Sequence, residues 1–298
     1  MAFQLVYTSY GSSLTKGKTG FSTVARSENM PENLVSKIER RSHYGIEKGT
    51  VFSHRIFMCD GVKYHLLTRT KDCGRDFEGN ANFIAHHLVF TAEETEKISA
   101  NPADIMACFG QWFDSFFGEP RFIRQIDPTA FCKTHSSSLP AEAWRGKFGD
   151  CAYAASLGDR ATIRSRVEDS AAVLKLFSEA LLLRVLSNDV WEATFTTFQL
   201  PADRISDFMW RAGADSPEAT VDFIDAKIAA LPEGRAAEYA RTGVLTNEEK
   251  HSLKVSYNIR KAHADFVSTL ETRYAPFAIG LGVGIVILAA AISYFYIF

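Results

Sequence analysis

Residues 51–69 read VFSHRIFMCDGVKYHLLTR, two runs rich in β-branched and aromatic side chains around Asp60-Gly61. An Asp-Gly pair supplies the two positive φ angles of a type I′ turn, so the stretch predicts a hairpin of 51–59 and 62–69. A two-residue loop also fixes the register. With Cys59 opposite Val62, Ile56 faces His65 and His54 faces Leu67. Both imidazoles then share one face as diagonal neighbours, about 7–8 Å apart and too distant to share a metal unaided.

Working outward, 3–10 (FQLVYTSY) reads as a strand, 11–20 (GSSLTKGKTG) as a loop and 21–26 as a second strand. Residues 31–41 (PENLVSKIERR) place Pro in the first turn, an early Glu, apolar Leu34, Val35 and Ile38, and basic residues at the end, the pattern of a short amphipathic helix. Residues 82–91 (NFIAHHLVFT) form another strand, followed by helical stretches at 92–100 and 102–117. Further on, 170–186 predicts an apolar core helix, 190–198 (VWEATFTTF) a strand, and 216–231 a closing helix. Strands interspersed with helices around a plain hairpin predict an α+β fold, mainly an antiparallel sheet with flanking helices, over 1–240. A subdomain break is expected near 120–160.

The C-terminal run 276–298 (PFAIGLGVGIVILAAAISYFYIF) carries no charge and is long enough to cross about 30 Å of hydrocarbon. We therefore expect a transmembrane helix over 275–298. Before it, 241–273 reads as a helical stalk, with a Thr246/Glu249 capping box and apolar residues at Val255, Ile259, Ala262, Phe266 and Leu270. Lys254, Arg260, Lys261 and Arg273 precede the span, and MAFQLVYTSYGSS lacks the features of a signal peptide. The expected disposition is single-pass in the inner membrane, with the N-terminal domain in the cytoplasm. Gly280 and Gly284 make a GxxxG pair that lets a second helix approach, so homodimerisation through the span is a further expectation.

Of the 298 residues 46% are hydrophobic and 23% charged, with a net charge of −2, which gives no electrostatic case for a nucleic-acid partner. Cys59, Cys73, Cys108, Cys132 and Cys151 form no CxxC pair and read as reduced thiols. The 11–19 loop has five residues between Gly11 and Gly17 where a phosphate loop needs four, and it leads into a strand, so no cofactor is expected. His86 and His87 are adjacent on a strand and face opposite ways. A His54/His65/His86 metal site is conceivable by position but lacks any ligand-spacing signature. GxSxG and HExxH are absent, leaving catalytic residues unassigned. The 72–82 segment (DCGRDFEGNAN) packs Gly, Asp, Arg and Asn between two strands, as a binding loop does. Arg75, Asn82, His86 and His87 are accordingly the candidate partner-binding residues.

The ordered blocks YTSY, GFSTVARS, MPENLVSKIER, FSHRIF, YHLLTR, DFEGNANFIAHHLVF and WEATFTTF resemble the type-two N-terminal domain of bacterial GTPase-associated proteins, over residues 3–198. The resemblance implies a small GTPase-like partner in a bacterial conflict or defence system, and it brings no catalytic residues. Chains of that family are commonly longer, with further soluble domains, where this one has a stalk and an apolar run. The expected function is a membrane-tethered adaptor or regulatory subunit that binds a cytosolic partner, a GTPase by resemblance. Two alternatives are a membrane-bound hydrolase with a His-centred site and a membrane-disrupting effector that oligomerises through its tail.

Overall fold

Residues 82–90 are buried without alternation, which is the mark of a strand covered on both faces. The computed structural model describes residues 1–15, 17–42, 48–98, 100–128, 131, 160–184, 190–201, 203–214, 219, 221–225, 227–228 and 246–248. Its centre is a mixed sheet. The N-terminal strands are β1 (Phe3–Tyr10), β2 (Gly20–Ser27), β3 (Thr50–Cys59), β4 (Val62–Arg75), β5 (Ala81–Thr91) and the short β6 (Arg121–Ile123). They are followed by β7 (Ala161–Arg164), β8 (Phe195–Thr196), β9 (Trp210–Gly213), β10 (Val221–Asp222) and β11 (Lys227–Ile228). The strand order is β11-β10-β7-β9-β8-β3-β4-β5-β1-β2-β6.

The β3–β4 hairpin has the register set by its turn: Cys59 opposite Val62, Ile56 opposite His65, His54 opposite Leu67. Asp60 and Gly61 adopt φ of 50° and 79°, the left-handed pair that a type I′ turn demands. From β3 to β2 the sheet is antiparallel, whereas β8, β9, β7 and β10 run parallel to one another. Between these halves lies one antiparallel join, β3 to β8, through Ser53↔Thr196 and His54↔Phe195.

Two layers cover the sheet. On one face α1 (Glu32–Glu39) buries Leu34, Val35 and Ile38 in a cluster with Leu5, Tyr7, Tyr64, Leu66 and Val89. Each such side chain contributes roughly 1.5–3 kcal/mol by leaving water. The opposite face carries α3 (Pro102–Cys108) and α4 (Ser170–Arg184), packed around Leu67, Leu88, Phe90, Phe195 and Trp210. Ser178 of α4 donates to the Asp104 carboxylate, while Asn101 caps the Asp104 amide at 2.8 Å and so ties α3 to α4. Between β5 and α3, the short α2 (Ala92–Glu96) begins at a Thr91/Glu94 capping box.

The α+β character and the mainly antiparallel N-terminal sheet agree with the sequence. Three expected elements differ. The helix over 102–117 stops at Cys108, because Phe109, Trp112, Phe113 and Phe116 turn their rings onto His86 and Tyr10 instead of lining a helical stripe. The strand over 190–198 contracts to Phe195–Thr196, because Trp191 and Ala193 contact the histidines of the hairpin. Within the span 216–231, expected as a helix, the described residues form β10 and β11, paired antiparallel. The Asp222 carboxylate accepts from the amides of Ile224 and Asp225, both at 2.9 Å, and bends the chain between them. The run 275–298 expected to span a membrane, with Gly280 and Gly284, lies outside the described residues, as does all of the expected stalk over 241–273 except 246–248. Among the described residues no helix is long and apolar enough to cross a membrane.

The chain after β8 crosses to the α1 side of β3 and is fixed there by a buried ion pair. Arg55 donates to Asp203, bonds Ser53 Oγ at 2.9 Å and lies over the Phe208 ring at 4.7 Å. Asp203 also accepts from the Leu200 amide at 2.9 Å. Removing only the acid strands a buried guanidinium, so Asp203→Ala should lower unfolding free energy by about 3–5 kcal/mol in urea titration, while Arg55→Met/Asp203→Leu should cost less than that single change.

Candidate functional site

Four histidines lie in the centre of the sheet, and all are buried. In the hairpin, His54 Nδ1 donates to the Ala193 carbonyl at 2.8 Å. A carbonyl only accepts, so neutral His54 keeps a lone pair on Nε2, and His65 Nδ1–H donates to it across 3.2 Å. The diagonal predicted from the register is therefore real, but the imidazoles lean along the strands and close it. Their planes differ by 17° with centroids 5.5 Å apart. A nitrogen separation of 3.2 Å is a hydrogen-bond distance, and among the described residues no third His, Cys, Asp or Glu is placed to complete a metal site with the pair.

His86 does not join them. It pairs with Arg69, four residues beyond His65 on the same strand, roughly 13 Å away. His86 Nε2 donates to Gln4 Oε1 at 3.1 Å, and the Phe113 amide donates to Nδ1 at 3.3 Å. Gln4 Nε2 continues to the Arg124 carbonyl at 2.7 Å, so this imidazole fastens β5 to β1 and to the segments on either side of β6. Trp112 and Phe113 meet its ring edge-on at 5.1 and 5.2 Å. Among the described residues no group of three His, Cys, Asp or Glu is placed to hold a metal ion.

His87 faces the α1 layer. Ser42 Oγ sits 2.7 Å from Nε2 and Thr68 Oγ1 sits 2.9 Å from Nδ1, an arrangement that superficially matches nucleophile, base and orienting group. Ser42 Oγ also donates to the Ile38 carbonyl at 2.9 Å, both residues are buried, and burial holds the His87 imidazole well below its ordinary value, which makes it a weak base. The described thiols fare no better: burial holds Cys59, Cys73 and Cys108 above the usual thiol range, so none is an activated thiolate.

Asn82 is nearly buried and spans the strand gap. Its Oδ1 accepts from Thr8 Oγ1 and the Ser9 amide, and its Nδ2 donates to the Ser9 carbonyl at 3.1 Å. Of the four candidate partner-binding residues, only Arg75 presents its side chain to solvent. It belongs to the tip of the β4–β5 hairpin, where Asp76 organises the backbone. Asp76 Oδ2 accepts from Ser9 Oγ at 2.8 Å, and Oδ1 accepts from the amides of Glu78 and Asn80 at 3.0 and 2.8 Å. Desolvation opposes ionisation there, yet the bonds from Ser9, Asn80 and Glu78 outweigh it and hold the carboxyl below its usual range. The result is a braced tip that displays Arg75, Glu78 and Phe77, the last 55% exposed. Sequence reading missed Phe77, although an aromatic residue inside a polar loop is a visible signal. Ser42, Gln4 and Trp191 gave none, since their partners are 45, 82 and 137 residues away.

Residues 1–127 match the family described as GTPase-associated protein 1, N-terminal domain type 2. That span covers β1 to β6 and both layers over them as far as α3. No curated protein and no solved structure matches the chain at a significant level.

Desolvation by burial pushes all four imidazoles down: His54 to about 3, helped by the neighbouring His65, His65 to about 4, His86 to about 3, and His87 well below its ordinary value. In the unfolded chain each recovers a value near 6.5, so the unfolded state binds more protons as pH falls. Stability held above pH 6.5 is then lost at about 1.4 kcal/mol per pH unit per histidine, about 5.6 kcal/mol per unit for four. Urea titrations at pH 7, 6 and 5 should show this steep decline, and an unchanged unfolding free energy across the series would contradict the neutral, buried assignment.

Proposed function

We propose that this chain is a membrane-tethered adaptor whose N-terminal sheet engages a cytosolic GTPase and whose apolar run at 275–298 holds the complex at the inner membrane. The observation that carries the reading is the match of 1–127 to the N-terminal domain of a GTPase-associated protein. The chemistry of the sheet supports a binding role. Its four histidines are committed to internal hydrogen bonds, and the described cysteines are held protonated. The apolar C-terminal run supports the tether on the arguments of length and charge given above.

The docking face we assign is the braced tip after β4. Arg75, Phe77 and Glu78 there offer an aromatic anchor between two opposite charges, on a loop whose backbone is held by Asp76 and Ser9. A preorganised tip loses little entropy on binding, and exposed aromatic and Arg side chains are the residue types that dominate interface energetics. Asn82, His86 and His87 act beneath this surface by keeping β5 in place.

Arg75→Glu/Phe77→Ser in the full chain should leave the circular dichroism spectrum unchanged and reduce recovery of the GTP-binding partner at least about tenfold, the scale of a single hot-spot loss. Equal recovery by wild type and variant would remove the tip from the interface.

A further inference from the structure

We propose that the join between β3 and β8 is an acid-sensitive latch, released when His54 and His65 take up protons. The join is narrow. It consists of Ser53↔Thr196 and His54↔Phe195, extended by the Thr197 amide donating to the Phe52 carbonyl at 2.8 Å and the Phe52 amide donating to Thr197 Oγ1 at 2.9 Å. Among the described residues, every strand of the C-terminal half reaches the family-like sheet through it.

His54 occupies that join in two ways, as a paired residue and as the donor that fixes the Ala193 carbonyl just before β8. His65 holds His54 in turn, and the Trp191 indole stands edge-on to both rings at 5.8 and 5.4 Å. Phe195 closes a further side of His54 at 5.7 Å. This enclosure accepts two neutral imidazoles with one nitrogen lone pair aimed at one N–H. A second charge has no place in it, because protonating both rings puts two cations 3.2 Å apart between aromatic walls.

The charged groups facing the pair are Lys63 from β4, which disfavours protonation of both rings, and Glu192 from the turn before β8, which favours it at His54. They bond to each other at 2.6 and 2.7 Å, across the same boundary the latch spans. Lifting the 191–197 strip parts this ion pair and admits water to both imidazoles.

Once open, each ring regains an ordinary histidine affinity for protons, and proton uptake pulls the opening equilibrium. For two such groups with values near 6.5, the opening constant rises about 100-fold between pH 7.5 and 5.5, and about tenfold if only one remains. His86 and His87 lie outside the join, bonded within β1, β4 and β5 and to residues 42 and 113, so they act on global unfolding and not on this opening.

Amide hydrogen exchange on the full chain, read by peptide and corrected for the intrinsic pH dependence, tests this directly. The peptide covering 191–197 should exchange ahead of the one covering 84–89 and should gain about 100-fold in opening between pH 7.5 and 5.5. His65→Leu should reduce the gain to about tenfold, and His54→Phe/His65→Leu should abolish it. If the double variant does not fold, His65→Leu alone decides. A strip that exchanges at the rate of 84–89 at every pH, or a His65→Leu protein with the wild-type gain, would overturn the latch.

Discussion

The side-chain placements in the centre of the sheet depend on the two-residue turn at Asp60-Gly61. Its positive φ angles pair Cys59 with Val62, and from that contact the whole ladder from Thr50↔Lys71 onward is set. A slip of one residue would send His65, Leu67 and Arg69 to the α1 side and Leu66 and Thr68 to the α3 and α4 side. His54 would lose its partner, and Thr68 would leave His87. The turn thus decides which polar groups are satisfied as well as which apolar groups are buried.

Most of the N-terminal half was legible for this reason. Local signals, the Asp-Gly turn, the Pro31 helix start and the strand composition of 3–10, coincide with the structure, most directly where partner strands are close in sequence, as in β1–β2 and β3–β4–β5. The structure adds the closing of the His54–His65 diagonal, which side-chain reach achieves although the backbone positions are those the register predicts. It also places Ser42 against both the Ile38 carbonyl and His87, which no pattern in the sequence discloses, since the position of Ser42 is set by the end of α1.

The C-terminal half was less legible because its elements are defined by distant partners. VWEATFTTF has the composition of a long strand, yet Trp191 and Ala193 are drawn to histidines more than 120 residues earlier, and only Phe195 and Thr196 remain to pair. Around Asp222, a carboxylate that satisfies two following amides and also pairs with Arg164 at 2.6 Å outcompetes helix formation. The 72–87 region shows a different limit. Its composition marked it as a binding loop, but only burial separates the braces, Asn82, His86 and His87, from the displayed side chains, Arg75 and Phe77.

The functional account joins a sheet whose four central histidines are buried and hydrogen-bonded to the match of residues 1–127 with the family described as GTPase-associated protein 1, N-terminal domain type 2. Its most direct test is purification of the full-length, N-terminally tagged protein from native membranes in mild detergent, with mass spectrometry of what remains bound. The account predicts that the protein is found in the membrane fraction with a GTP-binding protein in near-stoichiometric amount. Recovery of the chain alone, or from the soluble fraction, would contradict it.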